Sequence, residues 1–257
     1  MLDYGLDLSD VERDRALPDL VAEGDELDAL VSAQADWSTP TPAAGWTIAH
    51  QIAHLAAADK NVLIAIRTPE AFALVLKETE AAGGRQADLD AAAGAAQPRS
   101  VLLQQWRAGR TEVAAALRDI PVGQAFPWFG SELTPALMVP LRLMETWAHG
   151  QDVFDALGAA HRPTGRLRHV AALGVVGRAL SFYAAQLPTP AEPFRVELAG
   201  PDGETWAWGP EDTTQRVAGS ALDFCLRVTQ RRSRAETDLT AVGDDAATWL
   251  EIARVFL

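Results

Sequence analysis

The stretch "METWAHGQD", residues 144–152, decides how this chain reads. Leu141, Met144 and Trp147 recur at helical spacing, so the segment is a helix with an apolar face. The same run also holds Glu145, His149 and Asp152. Glu145 and His149 are four apart and share one face of that helix. A carboxylate and an imidazole beside packed apolar positions call for a partner elsewhere in the chain.

A second pair of the same kind lies in "TIAHQIAHLAAADKNVLIAI", 47–66, where His50 and His54 are four apart. The apolar residues of this segment wrap widely, as in a buried helix. Facing helices of a bundle bring side chains together in the core. Two imidazoles and a carboxylate suit a divalent transition metal, zinc first, with nickel or iron served by the same donors. Three protein ligands leave a fourth position open, which is the catalytic pattern. Asp152, three residues beyond His149, is placed to support the site from outside, although a carboxylate nearer the ring in space would serve equally. Spacing alone also fits a surface pair or a capped polar group in a core. His161 and His169 lie outside any pair and read as surface or packing residues. Trp46, Trp128 and Trp147 read as core or pocket-wall aromatics.

Outward from these two segments, the first two-thirds of the chain is helical. Residues 9–34 carry apolar positions at three-to-four spacing, with Pro18 as a kink or a late start. "STPTPAAGW", 38–46, is a Pro/Gly loop, and Thr47 caps the helix that follows it. Helices are expected near 69–81 and over 100–118, the latter capped by Ser100. The Gly/Ala-rich segment 82–99 reads as a loop with some helical character, and 120–135 as a long loop with three aromatics. The helix bearing the opening motif ends at about 157, with Gly158 as its stop. One more helix is expected over 164–186.

The last third changes character. "FRVELAGPDGETWAWG", 194–209, holds two alternating runs around Pro-Asp-Gly, a β-hairpin signal. A third strand is expected over 213–218, a helix near 220–230, a short strand in "TDLTAVGDD" and a closing helix in "ATWLEIARVF". Pro188, Pro190 and Pro193 mark a boundary. The reading is therefore a helical domain over 1–187 and a small α+β domain over 193–257.

Bulk composition narrows the partners. The formal charge of −13 over 257 residues argues against nucleic acid or an anionic membrane, since both need a basic face. No apolar run is long enough to span a bilayer. The acidic start, MLDYGLDLSDVERDR, has no apolar signal core, and the cytoplasm is the expected location. Cys225 is the single cysteine, which excludes a disulfide framework and a Cys-based zinc site. Set among apolar neighbours, it reads as a buried, inert thiol. "TQRRSR", 229–234, is the densest basic cluster, and reads as an exposed helix end or as a clamp for an anion. Nothing in the sequence demands a dimer, and a monomer or weak homodimer is expected.

The pair "TPAAGWTIAHQIAHLAAAD" (41–59) and "METWAHGQD" (144–152) resembles the DinB-like metal-binding bundles, and within them the mycothiol-dependent maleylpyruvate isomerase branch. The resemblance covers nearly the whole chain. It implies an up-down four-helix bundle followed by a sterol-carrier-like C-terminal domain. It selects His54, which directly precedes Leu55, with Glu145 and His149, as the metal ligands, and leaves His50 as a neighbour. It further implies an enzyme that activates a low-molecular-weight thiol, mycothiol, for transfer to a small electrophile or for thiol-assisted isomerisation. Asp152 then has a supporting catalytic role, and Arg227, Arg231 and Arg232 are candidate anchors for the anionic thiol or substrate. Two other readings compete: a metal-containing carrier of a small apolar ligand, and a metal-free helical regulator.

Overall fold

The computed structural model describes residues 13–255; the expected helical positions 9–12 and Phe256 lie outside them. Within the described residues the chain divides after His161 into two units.

The first unit is built on four long helices: α1 (Arg13–Ser32), α2 (Ile48–Arg67), α5 (Arg99–Asp119) and α6 (Pro135–Leu157). Helix α1 packs on α5 and α6, and α2 likewise packs on both. Two shorter helices, α3 (Pro69–Ala81) and α4 (Gln86–Ala95), lie between α2 and α5 in sequence, and both pack on α2. The segment 120–135 is not all loop: β1 (Phe126–Trp128) and β2 (Ser131–Leu133) pair antiparallel within it.

Two apolar clusters fill this unit. One gathers Leu17, Val62, Phe72, Leu117 and Met138, and the other Leu27, Ile48, Ile52, Leu55 and Trp106, with Val153 closing it from α6. The four helices therefore turn their main apolar stripes inward, and burial of these stripes is the main force that sets their positions. Pro18 sits inside α1 and Pro140 inside α6, so neither ends its helix. Gly158, at φ 61°, stops α6 in the left-handed conformation that glycine adopts without strain.

The second unit is a small α/β fold. Residues 164–186 hold two helices, α7 (Leu167–Val176) and α8 (Arg178–Ala184), which break at Gly177. A four-stranded sheet follows in the order β4-β3-β5-β6, from β3 (Phe194–Ala199), β4 (Thr205–Trp208), β5 (Gln215–Ser220) and β6 (Thr240–Val242). The expected hairpin is β3–β4, antiparallel, whereas β5 pairs parallel to β3. Helices α9 (Ala221–Val228) and α10 (Asp244–Ile252) complete the unit, and α7 packs on α9 while α10 packs on β5. The proline cluster 188–193 falls between α8 and the sheet of this unit. No helix among the described residues is long and apolar enough to cross a membrane.

Candidate metal centre

The loop ahead of α2 fixes where that helix starts. Thr41 N–H donates to the Trp46 carbonyl, and Ile48 N–H donates to that of Thr39. Thr47 is the N-cap, and His50 accepts from its backbone N–H at 3.3 Å through Nδ1. The Thr47 hydroxyl lies 2.9 Å from the same nitrogen. His50 is thus occupied by the cap of α2, one turn before His54.

His54 on α2 meets Glu145 and His149 on α6. His54 Nε2 lies 3.2 Å from Glu145 Oε2, and His149 Nε2 lies 3.5 Å from the same oxygen. One donor atom from each residue lies within 4.8 Å of the others. Trp46 closes the site on one side, stacked on the His149 ring at 5.9 Å and 18° and tilted over His54 at 5.4 Å. Its indole N–H donates to Asp88 on α4 at 2.8 Å, which fixes the ring plane.

Gln51 settles the tautomer of His149. Its amide nitrogen donates to Thr41 Oγ1 at 2.9 Å, so its Oε1 is the atom 2.6 Å from His149 Nδ1. Nδ1 is therefore the N–H donor, and a neutral ring presents the Nε2 lone pair to Glu145. A lone pair and a carboxylate oxygen facing each other at this distance need a positive species beside them, a proton or a metal ion. Metal–ligand bonds of about 2.0–2.2 Å in tetrahedral array put neighbouring donors about 3.3–3.6 Å apart. The two donor separations at Glu145 are close to that range, so the residues present fit a divalent ion.

The electrostatics favour an ionised Glu145. Burial pushes its carboxyl up, but His149 and His54, when the nitrogens facing it carry a proton, outweigh burial and hold the group well below the usual carboxylate range. Behind the site a buried ion pair joins the same two helices: Arg142 of α6 donates to Asp59 of α2 through Nη2 at 2.9 Å and Nε at 3.2 Å. Burial pushes the Asp59 carboxyl up, with Arg142 opposing the shift. The pair locks α2 to α6 just beyond His54 and Glu145. A cavity of about 290 Å³ reaches Asp59 and Thr146 from the α1/α5 side, but none of the three donor residues lines it.

The remaining sequence candidates are placed as follows. Asp152 is buried, with Oδ2 3.9 Å from His149 Nδ1, farther than Gln51 and beyond hydrogen-bond reach. Arg227 belongs to the second unit, where its guanidinium donates to the carbonyls of Leu250, Glu251 and Ala253 and so caps the end of α10. Arg231 and Arg232, also in the second unit, donate to the carbonyls of Thr229 and Arg231. Cys225 is buried, and burial pushes its thiol well above the usual range. Such burial disfavours the thiolate, the reactive form. Gln51, Asp59 and Arg142 escaped sequence reasoning. The signal for them was a polar residue on a helix whose apolar positions wrap all round.

The sequence model of the mycothiol maleylpyruvate isomerase N-terminal domain matches residues 20–154. A second model, described as wyosine base formation, matches 190–242. Two uncharacterized proteins of Mycobacterium tuberculosis, from strains CDC 1551 / Oshkosh and H37Rv, are each 50% identical over 242 residues, covering 93% of this chain and 93% of theirs. Among solved structures, a mycothiol-dependent maleylpyruvate isomerase superposes with a TM-score of 0.61 at 16% identity, over 96% of this chain and 98% of that one. A histidine-to-alanine mutant of such an isomerase gives 0.58 at 15% identity over the same shares.

Proposed function

We propose, for a chain that belongs to the mycothiol maleylpyruvate isomerase N-terminal domain family, a metal-dependent enzyme that activates a low-molecular-weight thiol, mycothiol, toward a small electrophile. Family membership supports thiol-dependent chemistry of the isomerase kind. The finer reading rests on one observation: His54, Glu145 and His149 converge while Gln51 holds the His149 ring with Nε2 turned toward the carboxylate.

His54, Glu145 and His149 are the proposed ligands, zinc the first candidate, with nickel or iron able to use the same donors. A divalent ion held there would supply the charge that keeps a thiol deprotonated at neutral pH. The chain's own groups do the rest. Gln51 keeps the proton on His149 Nδ1, so Nε2 stays a donor of electrons rather than of hydrogen. Trp46 covers the imidazoles and limits water on that side. Arg142 and Asp59 hold the two helices in register, so the donors on α2 and α6 keep their spacing. Because Cys225 is buried, a reactive thiol has to arrive from outside the chain. The substrate is written only as a small electrophile, for isomerisation by reversible addition or for transfer.

The test is a mycothiol-dependence assay on zinc-loaded protein, offering small alkenes, epoxides and activated halides as electrophiles, with His54→Ala as control. Turnover that requires both mycothiol and an intact His54 is expected. Metal-loaded protein that neither binds mycothiol nor consumes it would overturn the enzyme reading and leave a carrier.

A further inference from the structure

A second group of donors closes around His161. Glu23 and Glu26 are three apart on α1 and share a face. His161 follows α6 at the end of the first unit. One donor atom from each lies within 4.8 Å of the others. His161 Nε2 is 3.1 Å from Glu23 Oε1, with side chains only 3% and 4% exposed. Far from lying on the surface, this histidine is one of the better-buried polar groups of its unit.

Its ring is held as firmly as that of His149, and in the same way. Gln151 donates its amide N–H to Asp155 Oδ1 at 2.8 Å, which turns its Oε1 toward His161 Nδ1 at 3.1 Å. Nδ1 is therefore the N–H donor, and a neutral ring aims the Nε2 lone pair at Glu23. Phe154 lies parallel to the ring, 4.2 Å away at 3°, and fixes its plane. Two clusters on different elements thus share one plan: a glutamine oxygen at Nδ1 and a carboxylate oxygen at Nε2. A lone pair facing a carboxylate oxygen at 3.1 Å calls for a positive species beside them, a proton or a divalent ion, and Glu26 sets a third donor atom within reach of such an ion.

We propose that Glu23, Glu26 and His161 form a second divalent-metal site, independent of the His54 site. One imidazole nitrogen and two carboxylates suit zinc, manganese or iron(II). Its burial, and its position between α1 and the chain just past α6, make it a structural clamp on those elements.

Zinc content after equilibrium dialysis decides it, measured by elemental analysis on the full chain, Glu26→Gln, Glu145→Gln and the double variant. The expected counts are two ions, one, one and none. Glu26 is only partly buried, so its conversion to glutamine should spare the fold, checked by circular dichroism. A variant-free measurement stands beside it: the ¹⁵N resonance of His161 Nε2 in the parent should shift when zinc is added. A Glu26→Gln protein that keeps the parent's zinc count, or a His161 resonance that ignores zinc, would overturn the site and leave a protonated ion pair. An ion retained in Glu145→Gln but lost in Glu26→Gln would uphold this site and defeat the His54 one.

Discussion

Two polar regions of the helical unit obey opposite rules. Between α1 and α5, Asp28 accepts from Arg107 Nη2 at 2.6 Å and from Arg110 Nη2 at 3.1 Å, and Arg110 also reaches Asp25 at 2.8 Å. Both of these carboxylates, Asp25 and Asp28, meet a guanidinium and need no added cation. Between α2 and α6, Glu145 meets two imidazoles that it can pair with only if a proton or a cation is added. The first arrangement is what a protein builds to join helices. The second sets a carboxylate against two imidazoles whose placement Gln51 and Trp46 fix, and perturbed titratable clusters of that kind are candidates for functional sites.

The contrast can be broken most forcefully at the donors. His54→Ala or Glu145→Gln should abolish stoichiometric metal and drop thiol-dependent turnover by more than the roughly 100-fold ascribed to outer partners, while circular dichroism stays that of the parent. Turnover unchanged in both variants would remove these donors from the chemistry.

Next in size is the buried pair behind the site. Arg142→Met strands the Asp59 carboxylate and should cost about 3–5 kcal/mol in urea unfolding. The double change Asp59→Leu with Arg142→Met should recover most of that loss. Equal destabilisation of the single and double variants would show that packing volume, not charge, was at stake.

Gln51→Leu sharpens the comparison at smaller scale. Losing the acceptor for His149 Nδ1 should weaken metal affinity by roughly 10–100-fold, with Gln51→Glu restoring much of it. An unchanged affinity would mean that the ring is oriented by Trp46 alone.

The α1–α5 network should respond least, and through pH. Burial pushes Asp28 up, but Arg107, Ser32 and Arg110 outweigh it and hold the group below its ordinary value of 3.8. A depressed carboxylate adds stability above its unfolded pKa and loses it as pH falls through the folded one. Asp28→Asn should therefore be less stable than the parent at neutral pH, by about 1 kcal/mol or less given the half-exposed Arg107. The difference should shrink below about pH 4; a gap that persists at pH 2 would assign the effect to shape rather than charge.

Much of this was legible in the sequence, for reasons that differ by element. Helices α2 and α6 carry long apolar stripes with a cap or a glycine stop, so periodicity finds them within a residue or two. Helix α4, inside the segment read as a loop with some helical character, has no such stripe. It is helical through its alanines and seats Gly94 against Ala53, where an added Cβ would come within 2.6 Å. The single helix expected over 164–186 breaks at Gly177, where an added Cβ would sit 3.2 Å from the Arg254 carbonyl. The meeting of His54 with Glu145 could be read because each lies in an i,i+4 pair on a long helix. Gln51 and His149, 98 residues apart, could not, nor could Asp59 with Arg142 or Glu23 with His161. Such contacts depend on the rotation of each helix about its own axis, which hydrophobic periodicity fixes only coarsely.

X-ray absorption of zinc-loaded protein, before and after mycothiol, tests the central claim most directly, in a Glu26→Gln background so that only the His54 site is occupied. The account predicts a shell of nitrogen and oxygen, with imidazole scattering, that gains one sulfur at about 2.3 Å when the thiol is added. The only cysteine is buried, and a sulfur that appears only after mycothiol is added comes from the thiol. A shell unchanged by mycothiol would contradict thiol activation at this site.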